Sequence, residues 1–120
     1  MLKLETLVVI YLENKHNLSH EGDSWVYDNA LVYDNAHVYN HALVSHNAKV
    51  FGNAKVYGHA SVYNSANVFG NAQVYSDACV YDDSRIYGNA EVYGDACVCG
   101  NARVYGDACV YSNVCSISIY

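Results

Sequence analysis

From Val26 to Cys115 the chain repeats one pattern every six residues, fifteen times without a break. Position one is Val in fourteen units and Ile in one, Ile86. Position five is Ala in thirteen units, with Ser84 and Val114 as exceptions. Position two is aromatic in thirteen, with Ser45 and Cys99 as exceptions. Position three is often Gly, and position four is Asn, Asp, His or Ser. Such a period excludes an amphipathic α-helix, whose apolar stripe would recur every ~3.6 residues. Read as extended chain, Ala at five and Val at one lie two apart and share a side, while positions six and two share the other. Gly, Asn and Asp at three and four accept the positive φ that a corner needs. Each hexad is therefore a short strand and a bend. Three bends close a triangle, so one coil takes eighteen residues and the fifteen hexads make five coils. Parallel coils stacked ~4.8 Å apart would form a prism on the order of 24 Å long.

Composition agrees with a packed repeat. Apolar residues make up 52% and charged residues 15% of the chain, too apolar and too weakly charged for a disordered one. No apolar run approaches the length of a membrane span. A net charge of −6 argues against a nucleic-acid binder, which presents a basic stripe. Thirteen tyrosines and no proline are the compositional trace of the repeat. Met1 to Leu12 is a poor leader peptide: Glu5 interrupts it, and no small-residue cleavage site follows. The expectation is a cytoplasmic protein whose five cysteines are thiols.

The repeat resembles the hexapeptide-repeat family, whose unit is an aliphatic residue with a small residue two before it, as in Val32 with Ala30, Val50 with Ala48 and Val110 with Ala108. The resemblance implies an all-β fold, a left-handed parallel β-helix forming a triangular solenoid of about five 18-residue coils. The segment Asn17-Leu18-Ser19-His20-Glu21-Gly22-Asp23-Ser24-Trp25-Val26-Tyr27 is similar to the opening of phage and prophage members of that family. Three regions follow. Residues 1–19 form an N-terminal strand or cap, residues 20–115 the β-helix with a degraded first unit at His20 to Trp25, and residues 116–120 a C-terminal cap strand.

Stacking by eighteen converts sequence into surface. Face one carries Tyr27, Ser45, Tyr63, Tyr81 and Cys99, beside Trp25, Leu43, Ser61, Cys79, Cys97 and Cys115. Face two carries Tyr33, Phe51, Phe69, Tyr87 and Tyr105, beside Leu31, Lys49, Asn67, Arg85 and Arg103. Face three carries Tyr39, Tyr57, Tyr75, Tyr93 and Tyr111, beside His37, Lys55, Gln73, Glu91 and Cys109. Cys79, Cys97 and Cys115 should stand in a straight ladder, which does not converge on a metal.

Aromatic ladders stabilise in-register strands, by about 0.5–1.5 kcal/mol per ring pair beyond burial. They also leave apolar surface of the kind that marks an interaction site. Face two is the first candidate, because Tyr33, Phe51, Phe69, Tyr87 and Tyr105 run beside Lys49, Arg85 and Arg103, and aromatics with Arg dominate interface energy. The tyrosines of face three are the second candidate, either for a partner or for a seam between copies. Unpaired strand edges at the prism ends offer a further route to self-assembly.

A smooth prism has faces and no pocket, and no loop interrupts the fifteen hexads, so the reading favours a binding protein with no catalytic residue, metal or cofactor. The phage likeness implies an inhibitor that binds a host protein of an antiphage defence system, a defence-associated sirtuin being the sharpest form of that reading. The alternatives are enzymes of the same fold. An acyltransferase of the family uses a His on an extruded loop as general base. The γ-class carbonic anhydrases bind zinc through three histidines. His41 and His46 match the spacing of two of these, and the third position falls at Glu5.

Overall fold

A computed structural model describes the backbone of residues 11–12 and the whole of residues 24–120, and the fold is an all-β parallel solenoid of about five turns. Each hexad contributes a strand at positions six and one and a turn at three and four, so the strands are two residues long, three at Cys97–Cys99. They assemble into three parallel sheets. The six-stranded sheet of face one runs through Trp25–Val26, Leu43–Val44, Ser61–Val62, Cys79–Val80, Cys97–Cys99 and Val114–Cys115. Face two has seven strands, from Tyr11–Leu12 through Leu31–Val32 and Arg85–Ile86 to Ser118–Ile119. Face three has five: His37–Val38, Lys55–Val56, Gln73–Val74, Glu91–Val92 and Cys109–Val110.

The interior is the Val–Ala set expected from the period. Val26, Val68, Ile86 and Ala66 are wholly buried, and each buried Val contributes about 1.5–3 kcal/mol. Ser84 stands where Ala would, fully buried, and its hydroxyl donates to the Tyr81 carbonyl at 2.7 Å. The backbone is satisfied coil to coil, as where Lys49 N donates to Ala66 O and Phe51 N to Val68 O, each at 3.0 Å. Among the described residues no buried side-chain polar atom lacks a hydrogen-bond partner.

The corners follow a stricter rule than the sequence suggests. Positive φ falls on position three alone, from Asp28 to Gly106, and position four stays in the ordinary region. Position five then donates back to position two, as Ala54 N does to Phe51 O at 3.3 Å, which closes a four-residue turn. At Gly88, with φ of 66°, a Cβ would lie 2.8 Å from Gly106 N, so both handedness and space select glycine. Where Asp takes the corner its carboxylate caps the next coil: Asp34 Oδ2 accepts from Gly52 N at 3.1 Å, and Asp82 Oδ2 from Gly100 N at 3.0 Å.

Three expectations are corrected. The molecule measures 37 × 23 × 20 Å, longer than five coils alone, because Tyr11–Leu12 and Ser118–Ile119 add strands at the two ends of face two. The eighteen-residue offset fails in the last coil, where Val114 pairs with Val98 and Cys115 with Cys99, an offset of sixteen. Val is too large for the Ala position the count assigned to residue 114, and the shortened corner moves it into the Val column, 4% exposed. The displaced backbone acceptor is replaced by Asn113, whose Oδ1 accepts from Cys97 N at 3.1 Å. Cys115 therefore does not extend the Cys79 and Cys97 ladder. It is joined to Cys99 in a disulfide, with Cα atoms 4.5 Å apart, so the five cysteines are not all thiols; Cys79, Cys97 and Cys109 are free. Most of the N-terminal segment, with Glu5, lies outside the described residues.

Candidate binding face

Position two of each hexad leaves the strand just before the corner and points outward, so every coil sets its ring on the ring below. On face two Tyr33 stacks on Phe51 at 4.9 Å, Phe51 on Phe69 at 4.9 Å, Phe69 on Tyr87 at 5.0 Å and Tyr87 on Tyr105 at 5.2 Å. All four pairs lie within 7° of parallel. The ladder continues to Tyr120, 5.4 Å from Tyr105 and 83% exposed. Sequence reading missed this ring because Ile119 follows Val104 by fifteen residues. The spacing of Ile117 and Ile119, like Ala and Val of a hexad, was the available signal.

Position six stands beside the ladder. Arg85 and Arg103 are register neighbours and both exposed. Neither forms a side-chain hydrogen bond or ion pair with any other described residue. They line a shallow recess of about 280 Å³ with Asn67, the next strand residue in their column, and with the polar corner residues Ser65, Asp83 and Asn101. The prism is thus not wholly smooth. The recess was legible as the column Ser65, Asp83, Asn101 beside the column Asn67, Arg85, Arg103. Lys49 pairs with Leu31 and Asn67 and stands apart from the two arginines, so the three cations do not form one cluster.

Face three is built alike and wired differently. Tyr39, Tyr57, Tyr75 and Tyr93 stack at 4.8 to 5.3 Å, while Tyr111 tilts away at the end of the prism. The rings lean onto the next coil, so that Tyr57 OH donates to Gln73 Oε1 at 2.8 Å and Tyr75 OH to Glu91 Oε1 at 2.6 Å. The bond to Glu91, then burial, pushes the Tyr75 phenol well above the usual tyrosine range, and burial raises Tyr57 and Tyr39. The Tyr57 and Tyr75 phenols are therefore held as donors at neutral pH. Phe51 and Phe69 cannot make the equivalent bond to Asn67 and Arg85 on face two.

Face one has an interrupted ladder. Tyr63 stacks on Tyr81 at 5.0 Å, but Ser45 and Cys99 occupy ring positions and are nearly buried. Burial, then the neighbouring Cys97, raises the Cys79 thiol. Ser45 Oγ lies 3.1 Å from His46 Nδ1. His46 takes a left-handed corner with φ of 60°, whereas His41 stacks on His59 at 4.8 Å on a different corner. Among the described residues no three His, Cys, Asp or Glu side chains are placed to hold one metal ion. No helix among them is long and apolar enough to cross a membrane.

A family model described as the YdcK beta solenoid repeat matches residues 26–40, 84–100 and 96–112, each about one coil. No curated protein and no solved structure matches the chain.

Proposed function

We propose that this β-solenoid repeat protein is a non-catalytic binding module that engages a host protein through face two. The observation that carries the reading is the pair Arg85 and Arg103. They are exposed, stacked in register and without an ion pair or side-chain hydrogen bond to any other described residue, on a chain of net charge −6. Like charges directly opposite each other on neighbouring strands repel, and an acidic group set between them relieves that cost. A carboxylate takes a planar guanidinium bidentately. The ordered ring ladder alongside offers apolar area without further loss of side-chain freedom. The partner is therefore a protein with an acidic side chain flanked by apolar ones. The phage-like opening, Asn17 to Tyr27, supports a phage or prophage origin, with an antiphage defence protein such as a defence-associated sirtuin as the target.

A partner recovered from host lysate and identified by mass should bind Arg85→Glu with Arg103→Glu at least tenfold more weakly, about 1.4 kcal/mol or more, at physiological salt. A face-one charge, Ser61→Glu, should leave binding unchanged. Wild-type affinity in the charge-reversed protein, with β circular dichroism preserved, would remove face two from consideration. As a binding module the protein should also keep its partner when His41, His46 and His59 are changed together to Asn, a residue that tolerates their corner positions. Loss of biological activity in that folded variant would point to catalysis.

A further inference from the structure

Face three differs from face two in the order of its charges. Its five strands are centred on Gln73–Val74, and the outward column reads His37, Lys55, Gln73, Glu91, Cys109 along the prism. Lys55 and Glu91 lie one coil to either side of the centre, each ~4.8 Å from Gln73. They do not meet within the chain, since Gln73 separates them, and Lys55 has no ion pair with any other described residue. The ring column beside them is also centred, on Tyr75.

We infer that face three is the seam of a homodimer in which two prisms lie face to face and antiparallel, about a twofold axis running along the Gln73–Val74 strand. That operation keeps each column opposite its own copy and reverses the coil order. Lys55 then faces the partner subunit's Glu91, and Glu91 faces the partner subunit's Lys55. Tyr75 meets its own copy, and the exposed Tyr111 reaches the partner subunit's Tyr39. At the adjoining corner the same operation brings His59 toward the partner subunit's Asp95 and leaves Asp77 opposite Asp77 at the axis. A self-complementary patch of this kind is what an isologous interface requires.

The alternatives fit less well. Parallel prisms would set Lys55 against Lys55 and Glu91 against Glu91. Pairing through face two would oppose cations, since Lys49, Arg85 and Arg103 carry one sign. The uncharged column of face one has a ring ladder broken at Ser45 and Cys99. The size fits a small, reversible interface, because five strands at ~4.8 Å make face three about 24 Å long and, at about 20 Å across, about 480 Å² per partner, the low end of the range. The hydrogen bonds of Tyr57 and Tyr75 hold the surface ordered beforehand. The dimer leaves both copies of face two outward.

Sedimentation of the full chain tests the seam. The wild-type protein should sediment at twice the 13.2 kDa chain mass. Lys55→Glu alone should weaken the dimer at least tenfold, and Glu91→Lys alone likewise. An equimolar mixture of those two single variants should recover a heterodimer, because each copy then supplies the charge the other needs. Recovery in the mixture, with neither variant self-associating, specifies the antiparallel pairing. A monomeric wild type at 100-micromolar concentration (of the order at which weak interfaces fill), a trimer, or single variants that dimerise as well as wild type would each overturn it. Failure of the mixture to recover, with both variants folded by circular dichroism, would overturn the pairing as well. None of these outcomes bears on binding through face two, whose test reads affinity for another protein.

Discussion

Ala66→Leu should lower stability by about 2–3 kcal/mol, seen as a fall of roughly 10 °C in the melting temperature of the β circular dichroism signal. Ala66 is wholly buried, and it lies in the interior column between Ala48 and Ser84. The interior accepts one extra methyl group, at Ile86 in the Val column. Leu at 66 adds three carbons in the column reserved for the smallest side chain. The walls cannot yield easily, because each is hydrogen-bonded to the coils on both sides. Making room would lengthen bonds such as Lys49 N to Ala66 O and Asn67 N to Ser84 O, both now 3.0 Å. An unchanged melting temperature would mean that Ala66 does not face the interior.

Gly88→Val should be comparably damaging, by about 2–3 kcal/mol, although residue 88 is on a corner and buries no apolar side chain. Its φ of 66° lies in the left-handed region, where a β-branched residue is a genuine outlier. The new Cβ would also approach Gly106 N to 2.8 Å, against backbone that cannot swing aside. The comparison that isolates the cause is Gly88→Asn. Asn occupies the same position at residues 40 and 64 with φ near 58°, so Gly88→Asn should cost markedly less. Equal urea midpoints for the Val and Asn variants would show that corner handedness does not control stability here.

The period of six made much of this molecule legible. In a parallel stack held by coil-to-coil hydrogen bonds, one offset propagates for as long as the repeat is unbroken. That offset placed Val and Ala inside, set Arg85 under Arg103 and predicted every ring of the first five rungs on face two. It also exposed the centred charges of face three, since Lys55, Gln73 and Glu91 are eighteen apart. Which phenols would be tied down was not legible. Tyr57 and Tyr75 reach residues sixteen ahead, a diagonal set by the lean of the rings.

What the sequence by itself determined, then, is the coil, its interior and its outward columns, because each rests on a spacing repeated between two neighbours. The tertiary structure decided the ends, where a strand has a neighbour on one side only. There a corner can shorten at little cost, and the larger Val114 takes the Val column while Asn113 supplies the missing acceptor. That slip sets Cys115 on Cys99 in place of Cys97. A second slip, of one residue more, brings the offset to fifteen, sets Tyr120 on Tyr105 and carries the face-two ladder to the end of the prism.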